Sequence, residues 1–168
     1  MRQIVFSNVG FIHLVASVLA LIFGSVVLIS EKGTKRHKQI GYAYFVSMIA
    51  VIATAFMIYR LFGRFGIFHV TALISLLTLS AGMIPAILRK PVNRWLRWHY
   101  GFMYWSVIGL YAAFMAESLV RIPQTPFFGM VGVATFGVII IGGIVFGICQ
   151  KKWSAIYWDT SPLNSEKN

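Results

Sequence analysis

The chain has 168 residues, of which 58% are hydrophobic and 11% are charged, and its mean hydropathy is +0.78. A soluble domain carries about a quarter charged residues, so this composition excludes an ordinary water-exposed globule and indicates a membrane protein. The formal charge is +11, but the basic residues lie in short clusters between apolar segments, which argues against nucleic-acid binding. The only cysteine, Cys149, excludes an intrachain disulfide.

Five apolar segments are long enough to cross a membrane, because a hydrocarbon core about 30 Å thick requires roughly 20 mostly apolar residues in a helix. We expect one transmembrane domain over residues 1–150, a short tail over 151–168, and no soluble domain in the short connecting loops. The first segment could instead be a cleaved signal peptide, although Asn8 and His13 interrupt it and four further spans follow. The sequence thus predicts an all-α polytopic bundle with transmembrane helices over residues 9–29, 40–58, 67–88, 99–120 and 127–149.

The basic residues are distributed unevenly between the two rims of this bundle. Eleven Lys and Arg lie in the loop after the first span, the loop after the third span and the C-terminal tail, whereas four lie at the opposite rim. The positive-inside rule then predicts a plasma-membrane protein with its N-terminus outside and its C-terminus in the cytoplasm. Four tryptophans cluster at the basic rim, as in an interfacial aromatic belt: Trp95, Trp98, Trp153 and Trp158.

The first four spans also share an internal pattern. Residues 13–55 and 69–116 each begin with a His near the outer start of a span, continue through a Gly and a basic loop with a His, and end in a Gly-aromatic-x-Tyr-aromatic segment. Both halves are hairpins that enter from the same side, so the pattern predicts two tandem parallel repeats. Spans one to four would form a pseudo-symmetric four-helix bundle with the fifth span outside it.

Four histidines are the main candidates for a functional site, because ionisable side chains at membrane depth are costly and mark function by default. His13 and His69 lie at the outer ends of spans one and three, and His37 and His99 lie at the inner ends of spans two and four. Each pair comes from diagonal helices, so each could ligate a haem iron from two sides. We therefore predict a haem b-binding electron-transfer module, which resembles in its logic the two-haem membrane cytochromes of the b561 type. The alternative for each histidine is an interfacial or packing role.

Glu117 supports a second interpretation. It stands near the outer end of span four, where it could converge with His13 and His69 at one depth. A two-His, one-carboxylate set suits zinc or another divalent metal ion with an open position, as in a metal-binding transporter or a metal-dependent membrane enzyme. The same three residues could instead carry protons in a proton-coupled transporter. The simplest alternative is an ion pair between Glu117 and Arg121 four residues later.

A third class of function is a non-catalytic membrane assembly or interaction protein. Gly143 and Gly147 form a GxxxG pattern in the fifth span, which could pack against a membrane partner or a second copy of the chain. The sequence holds no Walker loop, GxSxG, HExxH or CxxC pattern, so it gives no support to hydrolase, kinase or nucleotide-binding activity.

Several segments together resemble a known family. They are the run from His13 to Gly24, EKGTKRHKQIGYAY with its Lys32-Gly33-Thr34, His37 and Gly41, the span that begins at His69, and RWHYGFMYWSVIGLYAAFMAE followed by Arg121. This combination is similar to the DUF2306 family of predicted multi-pass bacterial membrane proteins, over most of spans one to four. The resemblance implies a small multi-pass membrane architecture and no particular reaction.

Overall fold

The computed structural model describes residues 8–58, 65–90, 94–122 and 126–157, with side chains as far as residue 150. These residues form five helices and no strand, and every helix is long and apolar enough to cross a membrane. The prediction of an all-α bundle with five spans is therefore confirmed. The helices are α1 (Asn8–Ile29), α2 (Lys35–Met57), α3 (Ile67–Leu88), α4 (Trp95–Leu119) and α5 (Phe127–Tyr157).

Three helices extend further into the basic rim than the apolar segments predict. The second begins at Lys35 and the fourth at Trp95, ahead of the predicted starts at residues 40 and 99, and the fifth continues to Tyr157. At the start of α2, the extended Thr34 accepts a hydrogen bond from the His37 amide at 3.1 Å, which is an N-cap. Hydropathy detects only the part of a helix that lies in hydrocarbon. It therefore does not detect the turns of α2, α4 and α5 that lie at the level of the lipid headgroups.

Helices α1 to α4 form a four-helix bundle in which α1 packs against α2 and α4, and α3 packs against α2 and α4. The pairs α1/α3 and α2/α4 therefore face each other diagonally. Within the described ranges, α5 packs mainly against α4, with one ring contact of 6.2 Å between its Phe127 and Phe68 of α3, so it lies outside the bundle, as expected. A Cβ on Gly142 of α5 would meet the Ile108 side chain at 2.7 Å, so α5 approaches α4 too closely for any larger residue there. The internal repeat itself stays a prediction.

The bundle core is centred on Tyr44, whose side chain is 0% exposed. The Tyr44 hydroxyl lies 2.8 Å from Ser106 Oγ, so this hydrogen bond joins the diagonal helices α2 and α4. A Cβ on Gly24 of α1 would lie 3.1 Å from the Tyr44 ring, so the glycine lets α1 pack closely against the core. Lipid is as apolar as these side chains, and close packing and buried hydrogen bonds are therefore what hold the helices together.

We predict that Tyr44→Phe lowers the free energy of unfolding by about 0.5–2 kcal/mol, because it leaves the buried Ser106 hydroxyl without its cross-bundle partner. SDS-induced unfolding of the purified protein, followed by tryptophan fluorescence, measures the change. Tyr44→Phe combined with Ser106→Ala should be no less stable than either single variant. Tyr42→Phe is the matched control, since Tyr42 is 57% exposed. Fully additive losses in the double variant would show that the two hydroxyls contribute independently.

Candidate functional site: a cavity at the basic end of the bundle

The bundle holds a cavity of about 610 Å³ at the end where α1 and α3 finish and α2 and α4 begin. We refer to it as the basic-end cavity. All four bundle helices contribute to its walls, and most of its lining is apolar or aromatic. The lining comprises Val27, Leu28, Lys32, Gly33, His37, Lys38, Gly41, Tyr42, Met83, Ala86, Ile87, Arg89, Trp95, Leu96, His99, Tyr100, Met103 and Tyr104. Its size falls in the range of about 300–1,000 Å³ that is typical of small-molecule and cofactor sites.

Two of the sequence-predicted histidines meet in this cavity. The ring centroids of His37 and His99 lie 6.5 Å apart, and the ring planes are inclined at 89°. His37 comes from the first turn of α2 and His99 from the second turn of α4. The two residues therefore meet across the bundle diagonal, and both line the cavity.

His99 is held in one tautomer by the backbone of α3. Its Nδ1 lies 2.9 Å from the Gly82 carbonyl oxygen, and because a carbonyl can only accept, Nδ1 must carry the hydrogen. A neutral His99 therefore keeps the lone pair on Nε2. A Cβ on residue 82 would meet Met103 Sδ at 2.8 Å and the Met103 backbone nitrogen at 3.1 Å. The glycine is thus what lets α4 lie close enough to α3 for this hydrogen bond.

His37 has an unsatisfied ring nitrogen. Its Nδ1 is buried and has no hydrogen-bond partner among the residues that the structure describes. A buried polar atom of this kind usually has a partner, either protein, water or a bound ligand. Because His37 lines the cavity, this nitrogen is a candidate to bind whatever occupies it.

Three cationic side chains surround the apolar part of the cavity: Lys32, Lys38 and Arg89. The Lys32 ammonium donates to the carbonyl oxygens of Val27 at 2.8 Å and Leu28 at 2.6 Å, so it caps the C-terminal end of α1. Burial lowers the pKa of this amine to about 8. The cavity therefore combines an apolar body with a cationic rim, which suits a largely apolar ligand that carries acidic groups.

Arg89 is fixed at this rim by its neighbour in the next helix. Its guanidinium carbon lies 4.3 Å from the centroid of the Trp95 ring, a cation–π contact. Its backbone is left-handed, with φ 54°, and ends α3. Arg89 thus joins the end of α3 to the beginning of α4 beside the cavity.

A second polar cluster lies at the opposite end of the bundle, around His13. Its Nδ1 lies 2.8 Å from Thr54 Oγ1 of α2. Since the Thr54 hydroxyl donates to the Ala50 carbonyl at 2.7 Å, Oγ1 accepts from His13, and Nδ1 carries the hydrogen. The other ring nitrogen, Nε2, then faces Glu117 Oε1 of α4 at 3.8 Å. The cluster joins α1 to both of its neighbours.

Glu117 also faces a cation on its own helix. Arg121 Nη2 lies 3.8 Å from Glu117 Oε2, one turn along the chain. The Glu117 side chain is 36% exposed and the Arg121 side chain is 55% exposed, so their pairing contributes little to stability. Glu117 therefore stands between His13 on one side and Arg121 on the other.

His69 has a different role from the other three histidines. Its ring is buried, and its Nδ1 accepts a hydrogen bond from the Gly66 amide at 3.1 Å, which caps the start of α3. The ring also packs against Phe65 and Phe56, at centroid distances of 5.0 and 6.2 Å. Because the Nδ1 lone pair is engaged, the neutral ring carries its hydrogen on Nε2. A metal bond at either nitrogen would require this arrangement to change.

The structure gives the divalent-metal interpretation no support. Among the described residues, no group of three or more His, Cys, Asp or Glu side chains is placed to hold a metal ion. Of the predicted trio, His13 and Glu117 contact each other, whereas His69 caps α3 beside Phe65.

Three residues that matter to these two sites were missed by the sequence analysis. Thr54 is a hydroxyl in an apolar span, and its bond to His13 joins residues 41 positions apart, so no local pattern predicts it. The Gly82 carbonyl carries no sequence signal at all. Lys32 was used for topology and for the family resemblance but not as a site residue, although its place in a basic loop near His37 could have suggested a cavity rim.

Comparison with known protein families matches residues 10–152 to the family described as "Predicted membrane protein (DUF2306)". No curated protein and no solved structure matches the chain. The match includes all of the cavity lining and the cluster around His13. The five apolar helices of membrane-spanning length agree with that description, and the chain belongs to the DUF2306 family of predicted membrane proteins.

Proposed function

We propose that this integral membrane protein binds one haem b in the basic-end cavity, where His37 and His99 would hold it, and that it transfers electrons. The observation that carries the proposal is the pairing of these two imidazoles, 6.5 Å apart with planes at 89°, across a cavity of about 610 Å³. Bonds between a metal and an imidazole nitrogen are about 2 Å long, so this separation is compatible with one metal ion between the rings.

The surroundings of His99 support its assignment as a ligand. Histidines that ligate a metal characteristically donate their second ring nitrogen to a carbonyl or carboxylate, which fixes the tautomer and raises the basicity of the ligating nitrogen. The Gly82 carbonyl has this position relative to His99 Nδ1. On the opposite wall, a ligand in the cavity would supply the partner that the buried His37 nitrogen lacks among the described residues.

The cationic rim supports the choice of a ligand that has carboxylates. Lys32, Lys38 and Arg89 line the cavity and would pair with the two acidic substituents of haem b, while the apolar and aromatic walls exclude water from its ring. When bound, haem supplies one-electron exchange, and the axial ligands and dielectric of the site set its potential. The chain's own part is to hold the group, orient the imidazoles and shield the site.

We do not extend the proposal to a second haem between His13 and His69. His69 Nδ1 is engaged by the Gly66 amide, and its ring is packed between two phenylalanines. His13 is engaged by Thr54 and faces Glu117. These contacts support structural and acid–base roles for the two outer histidines better than ligation.

We also propose that the basic end faces the cytoplasm of a plasma membrane. Lys32, Lys38 and Arg89 belong to the rim with the excess of basic residues, which remains on the cytoplasmic side during insertion. The haem would then lie near the cytoplasmic surface, where it could exchange electrons with a soluble partner.

We predict that protein expressed with a haem supply and purified in detergent shows a Soret band and the sharp reduced α and β bands of a low-spin, bis-histidine haem. His37→Ala and His99→Ala should each lower haem retention at least about tenfold, because each removes an axial bond. Absorption spectra before and after dithionite reduction measure the effect.

His13→Ala is the matched control, because it removes a histidine from the opposite end of the same bundle. It should leave the spectrum unchanged, and circular dichroism should show that all three variants keep their helices. A wild-type protein that shows no Soret band, even after titration with hemin and removal of the unbound hemin, would refute the haem proposal. So would a Soret band that neither cavity variant alters.

The contacts around His13 favour a second candidate function, proton-coupled transport. Glu117 is the only acidic residue in the five helices, and it faces His13 at 3.8 Å and Arg121 at 3.8 Å. A carboxylate next to an imidazole at a membrane rim can pass a proton between water and the bundle interior. His13 in turn contacts Thr54, which is buried in α2.

We predict that, if the protein carries protons, Glu117→Gln abolishes proton flux into proteoliposomes, because an amide cannot exchange the proton. A pH-sensitive dye inside the vesicles, with a potassium gradient and valinomycin as the driving force, measures the flux. Glu31→Gln is the control, since Glu31 lies in the exposed loop at the other end. Equal flux in vesicles with wild type, Glu117→Gln or no protein would exclude this function and leave the haem proposal untouched.

A further inference from the structure

A second recess, of about 540 Å³, lies between α4 and α5 at the basic end. We refer to it as the α4–α5 groove. It shares no lining residue with the basic-end cavity, and since α5 packs outside the four-helix bundle, the groove opens on the outer surface of the protein. In a membrane, that surface faces lipid.

The mouth of the groove is cationic. Arg94, at the start of α4, and Arg97, one turn later, both line it and both are exposed. None of the residues that line the groove is acidic. The acidic residue of α4, Glu117, lies at the far end of the helix, in the cluster around His13. The groove is therefore electrostatically suited to an anion.

The rest of the groove is an aromatic trough. Trp98 and Phe102 pack against each other at a centroid distance of 5.9 Å, and Trp105 packs against Phe146 of α5 at 5.8 Å. Between these pairs lies Gly101, where an added Cβ would meet no atom within 4 Å. A chain-shaped apolar group can lie in the open space beside Gly101.

We infer that the α4–α5 groove binds an anionic phospholipid, with the phosphate at Arg94 and Arg97 and an acyl chain along Gly101. Cationic recesses between transmembrane helices bind acidic headgroups, and arginine forms paired hydrogen bonds with phosphate oxygens. Tryptophans at the same level mark the membrane interface. A small soluble anion would use the arginines and leave the aromatic trough empty, whereas a phospholipid matches both parts.

Native mass spectrometry of the detergent-purified protein, incubated with equal amounts of phosphatidylglycerol and phosphatidylcholine, tests the inference. The wild type should retain phosphatidylglycerol preferentially, and Arg94→Gln with Arg97→Gln should reduce that preference on the order of tenfold. Lys35→Gln with Arg36→Gln is the matched control, because it removes the same charge from exposed residues of α2 and should keep the preference. No preference in the wild type, or equal losses in the two double variants, would overturn the inference.

A second variant tests the apolar part without altering charge. Gly101→Leu should fill the trough and lower retention of phosphatidylglycerol, because its side chain occupies the space of the acyl chain. Gly109→Leu on the same helix is its control, since a Cβ there also meets no atom within 4 Å, but Gly109 does not line the groove. Circular dichroism and size-exclusion chromatography establish that both variants fold. Unchanged retention in Gly101→Leu would show that the lipid binds elsewhere.

Discussion

The structure depends on one constraint, which is that a polar group inside a membrane must find its partner within the protein. The described helices contain few polar side chains, and most of these link one helix to another or bond to their own backbone. Tyr44 bonds to Ser106, His13 to Thr54 and His99 to the Gly82 carbonyl. Each of these bonds joins two helices, so three contacts fix much of the relative placement of α1 to α4. Apolar side chains alone would not determine how the helices are placed, because they can contact lipid as favourably as they contact another helix.

The two ends of the bundle satisfy this constraint in different ways. At the Glu117 end, His69 caps α3 through Gly66 and packs against Phe56 and Phe65, so its Nδ1 lone pair is already used within the protein. At the basic end, the His37 and His99 rings lie 6.5 Å apart and both line the cavity. In the sequence pattern, the pairs His13/His69 and His37/His99 are equivalent. Their contacts in the structure are different. The pair at the basic end lines a cavity of about 610 Å³ in the described part of the chain, which is large enough for a cofactor.

Much of the architecture could be predicted because it follows from hydropathy, which is a local property. The first and third spans were predicted to within one residue of α1 and α3, and the position of α5 outside the bundle was predicted as well. The helix ends in the basic loops were missed because the signal at Thr34 is a cap and not an apolar run.

The candidate sites could be predicted only in part, because they depend on contacts between distant parts of the chain. The sequence identified the histidines as the residues to examine, and diagonal packing of helices brought His37 and His99 together. It could not reveal that His69 caps its own helix, since that depends on the rotamer of one ring. Nor could it reveal the partner of His13, which comes from 41 residues away. Polar side chains can be found from sequence, whereas their hydrogen-bond partners require the packed structure.

The α4 helix connects these features, because within the described ranges it packs against three other helices: α1, α3 and α5. Each face of α4 therefore meets different surroundings. His99 faces the basic-end cavity, Ser106 faces the core, and Trp105 faces α5. The most apolar stretch of α4 has the lowest hydropathy of the five spans, which agrees with a helix that meets protein on three sides. Its composition reflects its central position, and a ligand bound on either side of α4 would contact the same rigid element.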